Sequence, residues 1–334
     1  MITVVFNHMT DCGFPGATMR VFVAGATGVI GRRIVRQLVA HGHEVVGLAR
    51  GGEKEGIVRR LGGRPARGNL FDAATLAPVM KGCEVAIRAA TAIPTNPRPR
   101  LADFAMNDRI RTEGTRAMIE AASGAGVHQY IHESVVWVAG TPDGAPFDED
   151  APLRPVGGLT GTSTGERIAR EDGARRGLDV AVLRCGAFYA NDASHTRVMG
   201  QRIARRALPI IGDGGATWSM IHADDAASAF VTAAEHPRSG VWHIVDDKPV
   251  PVREYFMELA RRLGAPPPRR VPTWLAMLIG GRLTVEILMT SFATSNARFR
   301  RDFAWHPQYP TYREGLDQVF AAWREEGFLR GRGG

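Results

Sequence analysis

Lysine is nearly missing from this chain. It occurs three times, at Lys54, Lys81 and Lys248, against 42 lysines and arginines together, so any chemistry that needs a lysine between Lys81 and Lys248 has none to use. Cysteine is as scarce: Cys12, Cys83 and Cys185 have neither metal-ligand spacing nor an even count. That excludes a zinc module and a disulfide framework, predicts no metal site, and fits a reducing compartment. No apolar run approaches the ~18 residues of a membrane span; the most apolar late segment, Trp274 to Gly281, stops at Arg282. Internal repeats and low-complexity tracts are missing too. The opening MITVVFNHMTDCGFPGAT has no basic n-region and is interrupted by Asp11, so residues 1–18 read as an N-terminal extension rather than a secretion signal, with Met19 as an alternative start. A cytoplasmic protein without a membrane partner is the expectation.

The net charge of +8 raises the question of nucleic acid. Arginine pairs such as Arg59-Arg60 and Arg261-Arg262 sit inside amphipathic patterns and never build a run of five, which describes solvated helix faces and predicts no nucleic-acid partner. With 334 residues, 44% hydrophobic and 23% charged, the chain has room for a large α/β domain and a second region.

Residues 20–31 read RVFVAGATGVIG, a β-branched apolar run that breaks into Gly25, Gly28 and Gly31 and continues directly into the helical pattern RRIVRQLVAHG. This is the pattern of a dinucleotide-binding turn. The chain must leave a strand sharply, bring its backbone close to a pyrophosphate and pack a helix tightly, with the helix N-terminus offering free N–H groups to the anion. Backbone and side chains of Gly25, Thr27, Gly28, Val29, Ile30 and Gly31 are therefore cofactor candidates.

Strands and helices then alternate. Strand patterns fall at 21–24, 44–48, 64–67, 85–89, 129–133 and 180–184, and helical patterns at 31–39, 51–61, 74–80, 112–122 and 163–175, the last opening on a Ser163-x-x-Glu166 capping box. After Tyr189 the regularity fades into proline-punctuated segments, with helices near 254–263, 273–279 and 311–325. The layout predicts a Rossmann-like, doubly wound parallel sheet over 19–190 and a smaller, mainly substrate-binding region over 191–334, of which about 216–232 returns to the first domain.

GATGVIG at 25–31, GNLFD at 68–72, EGTRAMIEAASGAGV at 113–127, VLRCGAFYA at 182–190, GDGGATWSMIHADDAASAF at 212–230 and FAWHPQYPTYREGL at 303–316 stand in an order and spacing that resemble the extended short-chain dehydrogenase/reductase superfamily, the NAD-dependent epimerase/dehydratase group, over residues 20–325. The resemblance implies that Asn69 and Leu70 lie by the adenine and that Ala89, Ala90 and Thr91 line the cofactor. At the end of the second strand, where NAD-selective relatives carry an acid for the ribose hydroxyl, stand Ala49 and Arg50. An arginine there can hold a 2′-phosphate, which favours NADP(H) over NAD(H).

The same resemblance implies a Ser or Thr after the fifth strand and a Tyr-x-x-x-Lys pair, in which lysine lowers the tyrosine pKa for proton transfer. Yet no tyrosine occurs between Tyr130 and Tyr189, and no lysine between Lys81 and Lys248. The stretch that should hold the pair, GGLTGTSTGERIARE, offers only the hydroxyls of Thr160, Thr162, Ser163 and Thr164, and Arg111 replaces the family asparagine. Ser134 matches the serine position, with Val135 there if the register slips by one. Tyr189 is the first replacement acid and His222 the second, each with a structural alternative: shape for Tyr189, a helix start at Asp224-Asp225 for His222. Glu133, ending a buried strand beside His132, is a third source of an acid if its carboxyl is desolvated. His195 reads as an exposed loop residue.

Three functions remain open: an oxidoreductase or epimerase-like enzyme on a small molecule with nonstandard acid–base groups, a non-redox dehydratase, isomerase or cyclase, and an NADP-sensing regulator without turnover. The apolar stretch over 273–291 fits an apolar ligand, ordinary core or the face of a homodimer.

Overall fold

The first strand shows how this chain builds its core. In the computed structural model, which describes residues 18–94, 96, 98–141 and 143–328, β1 (Arg20–Ala24) alternates its side chains between two hydrophobic layers. Val21 and Val23 pack with Ile34, Leu38 and Phe230 on one face, and Phe22 and Ala24 with Met118, Ile119 and Ala169 on the other. A strand apolar on both faces belongs at the centre of a parallel sheet covered twice. The extension expected over 1–18, with Cys12, lies outside the described residues except for its last residue.

The chain continues as α1 (Val29–Ala40), β2 (Glu44–Leu48), α2 (Gly52–Arg60), β3 (Arg64–Ala66), α3 (Ala73–Met80), β4 (Val85–Arg88), α4 (Ala105–Gly124), β5 (Gln129–Val135), α5 (Thr160–Arg175) and β6 (Asp179–Cys185). There follow β7 (Ala187–Tyr189), α6 (Ser194–Ala204), β8 (Ile210–Ile211), β9 (Thr217–Trp218), β10 (Met220–His222), α7 (Ala223–Glu235), β11 (Gly240–Ile244), β12 (Val250–Pro251) and α8 (Val252–Arg262). The last elements among the described residues are β13 (Arg270–Val271), α9 (Thr273–Gly280), α10 (Arg282–Met289), α11 (Ala297–Phe303) and α12 (Tyr312–Glu325). Seven parallel strands form the main sheet in the order β3, β2, β1, β4, β5, β6, β11. This is the Rossmann-like doubly wound arrangement expected from the alternating pattern.

Three local expectations are corrected. The sheet has a seventh strand, β11, whose GVWHI is too short to show a period. Helix α4 starts at Ala105, seven residues before its apolar pattern becomes regular, because a 3-10 turn at Leu101–Phe104 leads into it. Helix α5 opens at Thr160 rather than Ser163: the amides of Thr162 and Ser163 already bond the Leu159 carbonyl at 3.0 and 3.1 Å. Ser163 is therefore inside the helix, its hydroxyl on the Thr160 carbonyl at 3.0 Å, and no Ser163–Glu166 capping box forms.

The C-terminal elements gather a third core around Tyr189, Trp218, Phe256, Phe292 and Trp323. Helix α12 joins it through Tyr312, Leu316, Val319, Phe320 and Trp323, one helical stripe, and begins with a Thr311–Glu314 capping box.

Candidate functional site

The glycine turn lies between β1 and α1, and its three glycines face three surroundings. Gly25 has φ +91°, and a Cβ on it would stand 2.6 Å from the Ala89 carbonyl carbon at the end of β4. A Cβ on Gly31 would overlap the Gly25 carbonyl, so this residue lets α1 press against the turn. Gly28 differs: a Cβ there would have only the Gly25 oxygen nearby, at 3.3 Å, and otherwise open space. Gly28 is the N-cap of α1, without a side-chain cap and with no acid in the first turn. The first amides of α1 are thus left to an outside acceptor, which fits the pyrophosphate of a dinucleotide. Val29 packs on Ala190, Ala193 and Ala223, and the Ile30 side chain belongs to the core, so Ile30 has its backbone to offer a ligand.

The other cofactor candidates come from the carboxyl ends of neighbouring strands, on the same edge of the sheet. After β2, Ala49 is buried with its amide on Ala66, while Arg50 is exposed and makes none of the ion pairs among the described residues. Asn69 is held in a local turn, its amide on Thr75 Oγ1 at 2.9 Å and its Oδ1 accepting from Phe71 at 3.1 Å. Leu70 sits over Gly114, where a Cβ would come within 3.1 Å. Ala89 backs Gly25, Ala90 accepts from Arg88 at 2.8 Å, and Thr91 is exposed. Just beyond, the Ala92 amide donates to Asn107 Oδ1 at 3.1 Å. Asn107 is buried in α4 and braces this loop, a role missed in the sequence although it stands one helical turn before Arg111.

The acid–base candidates are brought into two separate places. Ser134, on β5, is fully buried and donates its hydroxyl to Glu166 of α5. Arg184 of β6 holds the same carboxylate through Nε at 3.0 Å and Nη2 at 2.8 Å. Of the α5 hydroxyls, Thr162 is buried without a partner for its Oγ1, and Thr160 is exposed. Tyr189 and His222 lie together in the C-terminal core, rings 5.2 Å apart. The Tyr189 hydroxyl donates to Asp246 Oδ2 at 3.0 Å, and a Cβ on Gly315 would collide with the phenol. Burial, then the nearby Asp246, pushes the phenol well above its ordinary pKa, and burial likewise pushes Asp246 well up. His222 caps α7: its Nδ1 accepts from the Asp224 amide at 3.2 Å and its Nε2 faces Gln318 Oε1 at 3.2 Å. One neutral tautomer satisfies both contacts, and burial lowers the imidazole pKa to match.

Glu133 is buried, and its carboxyl faces two arginines. Arg111 approaches it to 3.3 Å and Arg88 to 3.6 Å, so the carboxylate is an ion-pair partner of two buried guanidinium groups. Burial first, then those two arginines, lowers His132 well below its ordinary pKa. His195 is exposed in the first turn of α6, its Nε2 on the Phe188 carbonyl at 2.5 Å.

Arg33 closes α1 onto the C-terminal elements, reaching Asp224 at 2.5 Å and Asp192 at 3.0 Å. Two cavities of about 250 and 700 Å³ open in the C-terminal part, one beside Phe256 and Leu288, the other beside Phe147 and Thr294. Among the described residues no helix is long and apolar enough to cross a membrane, and no cluster of three metal-ligating side chains occurs.

Known proteins are similar to this chain over most of its length. A 3-diazoavenalumate denitrifying reductase from a Streptomyces species is 36% identical over 305 residues, 89% of this chain and 99% of the relative. A 4-hydroxy-2-methyl-3-oxo-4-farnesyl-3,4-dihydroquinoline-1-oxide ketoreductase from Stigmatella aurantiaca is 29% identical over 253 residues, 74% of each chain. Among solved structures, a dTDP-glucose 4,6-dehydratase from Streptomyces venezuelae with NAD bound shares the fold with a TM-score of 0.77 at 23% identity, over 93% of this chain and 98% of the other. The pattern of the NAD dependent epimerase/dehydratase family matches residues 21–245, and the chain is an enzyme-like member of that NAD(P)-dependent family.

Proposed function

We propose that the chain is an NADP(H)-dependent reductase of a small, electron-poor molecule whose reduction requires no proton from a tyrosine–lysine pair. The observation that carries this is the combination of an open nucleotide cradle at Gly28 with a helix α5 that offers neither a tyrosine nor a lysine. Gly25 to Gly31 would hold the pyrophosphate, Arg50 the 2′-phosphate, Asn69 and Leu70 would flank the adenine, and Ala89 to Thr91, braced by Asn107, would line the nicotinamide half. The nicotinamide, when bound, supplies a hydride equivalent.

Ser134, Tyr189 and His222 are each engaged inside the protein, and in this reading they position the strands and helices around the cleft. An ordinary ketone needs a proton on its oxygen as it is reduced, whereas an already cationic acceptor does not. Similarity to the denitrifying reductase supports an aryl diazonium or a related diazo compound as the substrate class. The balance then closes without an acid: an N–H bond forms, the two electrons entering with it discharge the cation to a diazene, and loss of N₂ leaves the arene with that hydrogen.

The test is titration with NADPH and NADH, followed by loss of reduced-nicotinamide absorbance with an aryl diazonium set against ketones and sugar nucleotides. Tighter NADPH binding and turnover of the diazonium alone are expected. Turnover of sugar nucleotides, or no nucleotide binding, would overturn the reading.

A further inference from the structure

Helix α9 is built of TWLAMLIG, and Ala276 is its one buried residue. Trp274 is 64% exposed and Leu278 71%, with Met277 and Ile279 beside them. Eight residues that place this much apolar surface in water are not explained by the third core, which they barely join. Their charged surroundings are one-sided: Arg269, Arg270 and Arg282 flank the helix, all exposed and in none of the ion pairs among the described residues, while Glu286 is the one acid between Arg269 and Ser291.

Helix α10, which follows α9, packs on the loop that enters α5, where a Cβ on Gly157 would lie 2.6 Å from Leu283 Cδ1, and Phe104 lies 3.4 Å from a Cβ on Gly158 of the same loop. The segment leading to Phe104 also exposes Ile93 and Leu101, with Arg98 and Arg100 in solvent beside them. A second exposed apolar set with its own arginines therefore stands in the segment whose Phe104 touches the loop on which α10 packs.

We propose that this face docks on a bilayer surface carrying anionic headgroups, with α9 lying in the interface. A tryptophan and long aliphatic side chains directed outward, with arginines at the border, are the chemistry of a helix that rests on a membrane rather than crossing it. The arginines would meet lipid phosphates while the apolar tips enter the acyl boundary. A second copy of this chain fits less well. A two-fold axis through α9 would set the same arginines against each other.

The full-length protein is floated with vesicles of phosphatidylcholine alone and of phosphatidylcholine with phosphatidylglycerol, at low and at high salt, while tryptophan emission is followed. Trp274 is a built-in probe, since the other five tryptophans are buried or half-buried. Flotation with the anionic vesicles, a blue shift, and loss of both in high salt are expected. The pair Leu278→Ser and Ile279→Ser should abolish flotation. Arg270→Gln and Arg282→Gln, which leave the apolar face intact, should each weaken it about fivefold, the worth of one basic residue at an anionic surface. A wild-type protein that stays with the aqueous fraction overturns the proposal. So does a dimer that dissociates in the Leu278→Ser variant, or a small apolar molecule that shifts Trp274 emission where vesicles do not.

Discussion

The Ser134 hydroxyl donates to the Glu166 carboxylate, so the serine at the end of β5 is directed into the contact between sheet and helix α5. Arg184 completes the arrangement by gripping the same carboxylate from β6. Removing Glu166 as Glu166→Ala would leave Arg184 buried and uncompensated, and unfolding free energy should fall by about 3–5 kcal/mol. Ser134→Ala should cost less, about 1.5–3 kcal/mol for one hydrogen bond to a charged group. Denaturant titration of both variants checks the order. A Ser134→Ala protein of wild-type stability would show that the bond contributes nothing.

Cofactor choice should follow Arg50. Arg50→Ala is expected to weaken NADPH by about 1.5–3 kcal/mol and to leave NADH nearly unchanged, as a lost charge-assisted contact to one phosphate predicts. Calorimetric titration with both nucleotides decides the matter, and equal losses would remove Arg50 from the site.

The glycines of the turn should separate binding from folding. Gly28→Val places its side chain in the open space before α1 and should eliminate nucleotide binding while circular dichroism stays native. Gly31→Ala forces a methyl group into the Gly25 carbonyl and should destabilise the fold by about 1–3 kcal/mol. The reverse pattern would mean that residues 25–31 are a structural turn.

Tyr189→Phe keeps the ring and removes the donor to Asp246. The expected result is a stability loss of about 1–3 kcal/mol from a buried carboxyl left without its partner, with turnover near wild type. A fall of about 10²–10⁴-fold in the chemical step, with nucleotide affinity unchanged, would instead make Tyr189 the general acid that its place in the sequence suggested.

Asp225 introduces a pH dependence. Burial pushes its carboxyl up to about 6, against the lowering effect of the Tyr309 and Gln308 amides that bond it at 3.0 and 2.7 Å. An unfolded aspartate titrates near ~3.9, so between the two values the folded chain binds the proton more strongly. This contribution to stability is complete at about pH 4 and lost as the pH rises through 6, by about 3 kcal/mol. Denaturation across that range should show the decline relative to Asp225→Asn. Parallel profiles for the two proteins would rule it out.

What could be read in the sequence was local. The glycine turn, the six strands from β1 to β6 and the α1 stripe declare themselves within a dozen residues, because strand and helix periods and turn chemistry act at that range. Glu166 was beyond reach: Ser163-x-x-Glu166 has the letters of a capping box, whereas the carboxylate meets Ser134 on β5 and Arg184 on β6, 32 and 18 residues away. The surroundings of Tyr189 were equally hidden, since Asp246, Thr311 and Gly315 reach it from distant parts of the chain. Asn107 and β11 were missed because one is defined by a backbone amide fifteen residues away and the other by a neighbouring strand.

The order of strands also governs how this protein is made. The sheet leaves its growing edge at β6, wanders through β7, α6 and α7, and returns only at Gly240 to lay β11 along Ala181 to Cys185. During synthesis the first six strands can assemble while β6 still presents an unpaired backbone, and until β11 emerges that edge is open to any other strand in the cell. The ribosome must deliver more than fifty further residues before the edge closes, a wait of several seconds at about 5–20 residues per second, and chaperone demand should be greatest for chains halted in that interval.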